Sequence, residues 1–275
     1  MCCALASFCQ VPSVKVYTGT MHYLGDLSPY DHPLSFSRGH FATGVSYVVK
    51  SNEIASYFVR FMHGKVSGED AMSGNINRQK RNLSFESNID EFGVGVELSL
   101  TSLMPKIEKY GLNAYITLGV NLFHFNPKAF YSGQWIELQP LGTEGQGSSA
   151  IYKTPYKRWQ INFPIGIGAS FKLSPSVSMA IEFAPRILLT DYLDDVSKEY
   201  IASDVQLQAQ GALPTALANR MGELASANSN PSEFYVTTGQ KRGNVNDKDR
   251  YFFSSINFIS TLNNLKNLRK KLPVD

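Results

Sequence analysis

Cysteine is absent after residue 9: Cys2, Cys3 and Cys9 are the only three in 275 residues. No disulfide framework can therefore hold the fold. Charge is scarce, with Asp, Glu, Lys and Arg at 18% of the chain against about 25% in an ordinary soluble domain. A formal net charge of +3 is too small to argue for a nucleic-acid partner. No apolar run approaches the roughly 20 residues of a transmembrane helix. That excludes a helical membrane protein but not a membrane barrel, whose strands give a much weaker signal. The histidines (His22, His32, His40, His63, His124) are scattered, with no carboxylate or cysteine at metal-ligand spacing. No nucleophile with its base stands out, so neither an enzyme, a cofactor nor a metal is expected.

What the chain does have is aromatic residues and glycine: 17 Phe, 14 Tyr and 21 Gly. Eight segments alternate apolar and small or polar residues with the period of a strand, over residues 14–24, 41–49, 57–62, 89–100, 112–122, 159–171, 177–189 and 251–262. In the fourth, Phe92, Val94, Val96, Leu98 and Leu100 share one face, and Glu91, Gly93, Gly95, Glu97 and Ser99 the other. Odd connections are long (25–38, 65–87, 126–158, 191–249) and even ones short (51–53, 101–109, 173–176). In an up-and-down barrel the odd connections emerge at one end, and long loops opposite short turns mark an outer-membrane barrel. The expected fold is all-β, an eight-stranded transmembrane barrel over residues 11–263. A short helix at 214–227 falls in the last loop, where Pro214 suits a first turn. Residues 123–147 show neither period and are expected to form an ordered loop. Residues 1–10 are expected to be the remnant of a secretory signal whose start lies upstream, and residues 264–275 a basic tail.

The face opposite the apolar one decides what surrounds the barrel. A water-facing side would be rich in Lys, Glu and Thr, yet this one is mostly Gly, Ala and Ser. Small residues suit the crowded interior of an eight-stranded barrel. Its few charges, Arg60, Glu91, Glu97, Lys172, Glu182 and Arg186, are expected to pair across the lumen and close it, because buried charge is costly unless paired. Tyr57, Trp159, Phe171 and Phe252 fall near strand ends on the outer face, as an interfacial belt requires. The glycines of 142–147 are read as turn formers and not as a phosphate cradle. Asp191, Asp194 and Asp195 are candidates for calcium, with plain loop hydrogen bonding the favoured alternative.

Several blocks carry a family resemblance: YLGDLSP (23–29), RNLSFES (81–87), FHFNPKA (123–129), LQPLGTEGQG (138–147), TDYLDDVS (190–197) and RGN…DKDRYFF (242–253). Together they resemble the PorG-like outer-membrane β-barrels of Bacteroidetes, associated with the type IX secretion system and gliding motility. The likeness runs from residue 14 to about 258. It departs from the family in the missing positive charges of the signal and in the tail beyond 258. The loop positions it marks are Asn126, Pro127, Gln139, Pro140, Gly142, Glu144, Gly145, Gly147, Asp191, Tyr192, Asp194 and Asp195. The resemblance implies an integral outer-membrane protein that is no enzyme. It would contact outer-membrane lipids and anchor a periplasmic ring of PorK- and PorN-like subunits in protein transport. The alternative that stays open is a small barrel that binds or passes a ligand, with the long loops as binding surface; a soluble calycin-type barrel is the third.

Overall fold

Strands β1 (Pro12–Leu24), β2 (His40–Lys50), β3 (Ala55–Glu69), β4 (Ser84–Ser99), β5 (Leu112–Tyr131), β7 (Trp159–Lys172), β8 (Val177–Leu188) and β9 (Arg250–Thr261) pair antiparallel, each with its neighbour in sequence. The seam closes where β1 meets β9, with Val16 opposite Phe258 and Met21 opposite Phe253. The result is a closed eight-stranded barrel. A short β6 (Gln134–Glu137) pairs only with the far end of β5. The computed structural model describes residues 12–28, 38–101, 111–148, 153–225 and 230–262. The expected signal remnant, the basic tail, His32 and most of the 101–109 connection lie outside them.

The alternation read from the sequence sets which face is which. Phe41, Val45, Tyr47, Tyr57, Phe61, Phe92, Val94, Ile161, Ile167, Ile181 and Phe258 all stand on the outer surface, Phe41 at 70% exposure and Ile167 at 63%. The apolar row stops at one line on the long-loop side. There His63, Asp90 and His124 lie side by side on β3, β4 and β5, with Trp159 packed 5.0 Å from His124. Beyond it the outward pairs on β3 and β4 are polar, such as Lys65 with Glu86 at 3.0 Å, while Phe130 and Trp135 form an exposed aromatic pair at the far end of β5 and β6. One expected belt member does not conform: Phe252 is buried, stacked 4.7 Å from His22 and packed against Phe183.

Three expectations about the long loops need correction. The strands flanking 65–87 run on to Glu69 and resume at Ser84, so only 70–83 turn, partly through helix α1 (Ile76–Arg81). Past the histidine line the outer side chains become polar, so the apolar alternation that marks these strands in the sequence stops short of their ends. Residues 123–147 are not a loop throughout. β5 continues to Tyr131, turns at Ser132 and Gly133 with φ of 48° and 84°, and returns as β6. In place of the single helix expected at 214–227 there are α2 (Ser203–Gln210), α3 (Ala212–Ala218) and a helical turn over Met221–Leu224, residues 226 and 227 lying outside the described ones. Pro214 tolerates only a first-turn place, so α3 begins just before it. Lys172 sits exposed at a strand end and joins no interior pair.

The core is displaced toward the long-loop end. Met21, Met62, Ile89, Phe123, Phe125, Leu188 and Phe253 from the barrel pack there with Leu27, Leu138, Leu193, Val196 and Leu217 from the loops. Below this apolar layer the lumen is polar.

Candidate functional site

Two stacked polar layers fill the lumen. In the lower one Lys15, wholly buried, donates to Glu97 at 2.7 Å, Glu182 at 2.9 Å and the Tyr115 hydroxyl at 3.1 Å. The Arg60 guanidinium lies 3.3 Å from Glu182 and 3.8 Å from Glu97. No aligned hydrogen bond joins them, so the attraction is Coulombic, helped by the Tyr17 and Phe58 rings at 4.7 and 4.4 Å. Two cations face two carboxylates. Gly168 makes room for this layer: a Cβ there would lie 2.3 Å from the Tyr115 ring. In the upper layer Arg186 holds Glu91 through two nitrogens at 3.1 and 3.2 Å. Asn121, Asn162 and the Tyr251 hydroxyl complete the carboxylate's shell. One cation faces one carboxylate. Of the six lumen charges expected from the sequence, the structure divides Arg60, Glu91, Glu97, Glu182 and Arg186 between these layers and leaves Lys172 outside them. The sequence reading did not find Lys15, whose inward parity between Val14 and Val16 was the available signal.

Above the apolar layer the long loops fold over the barrel mouth and lock together. Gly142 takes a left-handed φ of 61°, and a Cβ there would meet the Gln146 carbonyl at 1.9 Å. This turn drives Thr143 and Glu144 inward. The Glu144 carboxylate, fully buried, accepts from the backbone of Ser197 (2.9 Å) and Lys198 (3.0 Å), from the Tyr192 hydroxyl (3.1 Å) and from Arg242 (3.3 Å). Asp195 accepts from Thr143, from Tyr156 at 2.7 Å, and lies 3.8 Å from Arg242. Tyr192 stacks on Tyr156 at 4.7 Å. Asp191 accepts from Ser197 at 2.7 Å. Helix α2 ties in as Gln206 donates to the Thr143 carbonyl at 3.2 Å. The loop positions marked by resemblance therefore meet in one clasp for Gly142, Glu144, Asp191, Tyr192 and Asp195. Gly145 and Gly147 supply its other left-handed turns, at φ of 83° and 77°.

The remaining marked positions serve nearby joints. Asn126 bridges Glu137 (2.8 Å) and Arg158 (2.9 Å). The Pro127 carbonyl accepts from Leu138 at 2.9 Å. Gln139 donates to the Tyr156 carbonyl at 2.9 Å, and Pro140 sits in a single helical turn over Gln139–Leu141. Asp194 and Asp249 share the Tyr23 hydroxyl, at 2.6 and 2.7 Å. One phenolic hydrogen cannot serve two carboxylates, so one carboxyl is protonated and donates to the phenol oxygen. Burial raises both well above the usual carboxylate range; the neighbouring Asp26 adds to this for Asp194, and Asp194 for Asp249. Burial likewise pushes Asp191 and Asp195 up to about 6. Tyr23, Arg242 and Asp249 fall inside the resembling blocks 23–29 and 242–253 but are not singled out from the sequence, because their partners in the clasp lie far away along the chain. The three aspartates of the 190–197 block are each bonded to different partners. Among the described residues no cluster of three His, Cys, Asp or Glu could hold a metal. The arrangement closes a mouth and presents a built outer surface.

Solved structures share the architecture. Neisserial surface protein A is similar at 8% identity and a TM-score of 0.44, over 91% of this chain and 96% of that one. The attachment invasion locus protein Ail of Yersinia pestis is similar at 8% identity and 0.39, over 91% and 98%. The N-terminal barrel domain of Pseudomonas aeruginosa OprF is similar at 8% identity and 0.31, over 91% and 98%. Nothing about activity follows from likeness at this level. No curated protein matches the chain in sequence. A family model described as a domain of unknown function, DUF6089, matches residues 1–207, well over half of the chain, which therefore belongs to the DUF6089 family.

Proposed function

We propose that this chain is an integral protein of the cell outer membrane and acts there as a non-enzymatic structural component. The observation that carries the reading is the continuous apolar outer face, ending at the His63–Asp90–His124 line. On β7 the outward row runs from Trp159 to Phe171. Its twelve steps, at about 3.3 Å each and a tilt near 45°, rise roughly 28 Å, against an apolar band of about 25 Å in outer-membrane barrels. Left in water, such a face would be an aggregation liability. Two neutral polar layers and an apolar layer in the lumen argue against passage of a solute, and the clasped loops argue for a fixed surface.

The finer assignment is to the type IX protein secretion system, with the barrel holding the periplasmic ring of PorK- and PorN-like subunits at the membrane. It rests on the six sequence blocks that resemble PorG-like barrels. The ring would meet the end opposite the clasp, where tight turns are built by Asn52, accepting from Ala55 at 2.8 Å, and by Ser174, accepting from Val177 at 3.1 Å. Photocrosslinking from native outer membranes tests this. Probes at Asn52 and Ser174 are expected to capture ring subunits. Silence there, with capture of a surface protein from a probe at Lys198, would overturn the anchor assignment while leaving the barrel itself in place.

A further inference from the structure

The short helix α1, the end of β1 and the approach to β9 enclose a polar cleft of about 600 Å³ on the clasp side of the barrel. Five of its lining residues are cations: Arg78, Lys80, Arg81, Lys241 and Arg242. Two of them are already neutralised within the wall. Arg81 grips Asp70 through two nitrogens, each at 2.7 Å, and Arg242 lies 3.3 Å from Glu144 and 3.8 Å from Asp195. The other three have no ion pair among the described residues. Arg78 reaches only the Ser28 carbonyl, at 3.3 Å, and Lys241 only Asn244, at 3.3 Å. Among the described residues the wall has only two acidic ones, and of these Asp26 feels the charge of Arg78 and Lys241 without forming an ion pair with either. Asp247 lies 3.5 Å from Arg250, and Asp26 accepts the Asn244 backbone at 2.7 Å. The cleft thus holds three unpaired cations against one carboxylate.

A second observation points the same way. Tyr200 lines this cleft at 3% exposure, and its hydroxyl has no hydrogen-bond partner. Its backbone is fixed by bonds with Gln240 (2.8 Å) and Gly239 (3.2 Å). A buried hydroxyl without a partner is costly to keep, and a ligand oxygen would satisfy it. A guanidinium and an ammonium group from α1, a second ammonium group from Lys241 and the Tyr200 phenol line the one cleft, a set that suits an acceptor with several oxygens. We infer that the cleft is a binding site for a tetrahedral oxyanion, a phosphate or sulfate ester, held by Arg78, Lys80 and Lys241 with the Tyr200 hydroxyl as a neutral donor. The inference does not depend on the secretion assignment.

Purified full-length barrel in detergent is titrated with glucose 1-phosphate, inorganic phosphate and inorganic sulfate by calorimetry. In parallel, barrel in nanodiscs is exposed to lipopolysaccharide before and after enzymatic dephosphorylation. Saturable binding of the small esters identifies a soluble ligand, and binding only to phosphorylated lipopolysaccharide identifies a lipid headgroup; either supports the site. The triple variant Arg78→Gln, Lys80→Gln, Lys241→Gln is expected to lose at least tenfold in affinity. Tyr200→Phe removes only an unpartnered hydroxyl, so the barrel should fold as before while affinity falls about fivefold. Binding to none of the probes, or binding that neither variant weakens, overturns the proposal.

Discussion

Replacing Lys15 by Met tests whether the lumen is held by charge pairing across the barrel. The side chain is wholly buried and meets Glu97 and Glu182 at 2.7 and 2.9 Å. Without it two carboxylates share Arg60, which lies 3.3 and 3.8 Å away, and the layer carries one uncompensated negative charge. Removing one partner of a buried pair costs about 3–5 kcal/mol. The lower end applies here, because the Glu97 side chain keeps 15% exposure and so is incompletely desolvated. A loss of about 3 kcal/mol is roughly a 150-fold change in the unfolding equilibrium. Equilibrium unfolding in urea from lipid vesicles, followed by tryptophan fluorescence, reads this directly. The companion variant Lys15→Met with Glu182→Gln restores neutrality and is expected to recover more than half of the loss. A single variant within about 1 kcal/mol of the parent, or a double variant no better than the single, would refute the reasoning.

Three further outcomes follow from the clasp and the outer face. The buried carboxyls of the clasp have folded-state pKa values above their unfolded value of about 4: near 6 for Asp191 and Asp195, and well above the unfolded value for Asp194 and Asp249. Their contribution is complete below about pH 4 and is lost as pH rises through those folded values, so proteolysis within residues 189–249 should quicken as pH is raised from about 4 through 6 and above, less so in Asp194→Asn. Gly142→Ala places a Cβ against the Gln146 carbonyl in a left-handed turn and should weaken the clasp by about 1–3 kcal/mol, seen as faster amide exchange at Thr143 and Glu144 with barrel strands unchanged. Brominated lipids should quench Trp159, at the edge of the apolar face, in a Trp135→Phe background, and quench Trp135, on β6 beyond that edge, far less in a Trp159→Phe background.

The barrel was legible in the sequence wherever inside and outside differ in chemistry. Val94 and Val96 against Gly93, Gly95 and Glu97 leave no doubt about faces. Legibility ended where the outward environment changes. Past His63 the outer side chains become Lys65, Ser67 and Glu69, and past His124 they become Asn126 and Lys128, so the strands continue without the apolar face that marks them. Lumen charges could be named because inward parity is local. Their partners could not all be found, since Lys15 sits in a strand whose alternation is softened by Thr18, Gly19 and Thr20. The clasp was the least readable part. Its glycines and aspartates announced turns, but Arg242 joins Glu144 across 98 residues of sequence, and no local period encodes that.

The pairing of Lys15 with Glu182 spans 167 residues and that of Arg186 with Glu91 spans 95. Neither pairing can therefore form until strands distant in the chain have come together. A sheet still open between β1 and β9 would turn lone ammonium and carboxylate groups toward hydrocarbon. In the outer membrane we propose for it, piecemeal entry of hairpins is thus opposed by the chain's own electrostatics, and closure of the seam is the event that makes the molecule compatible with lipid.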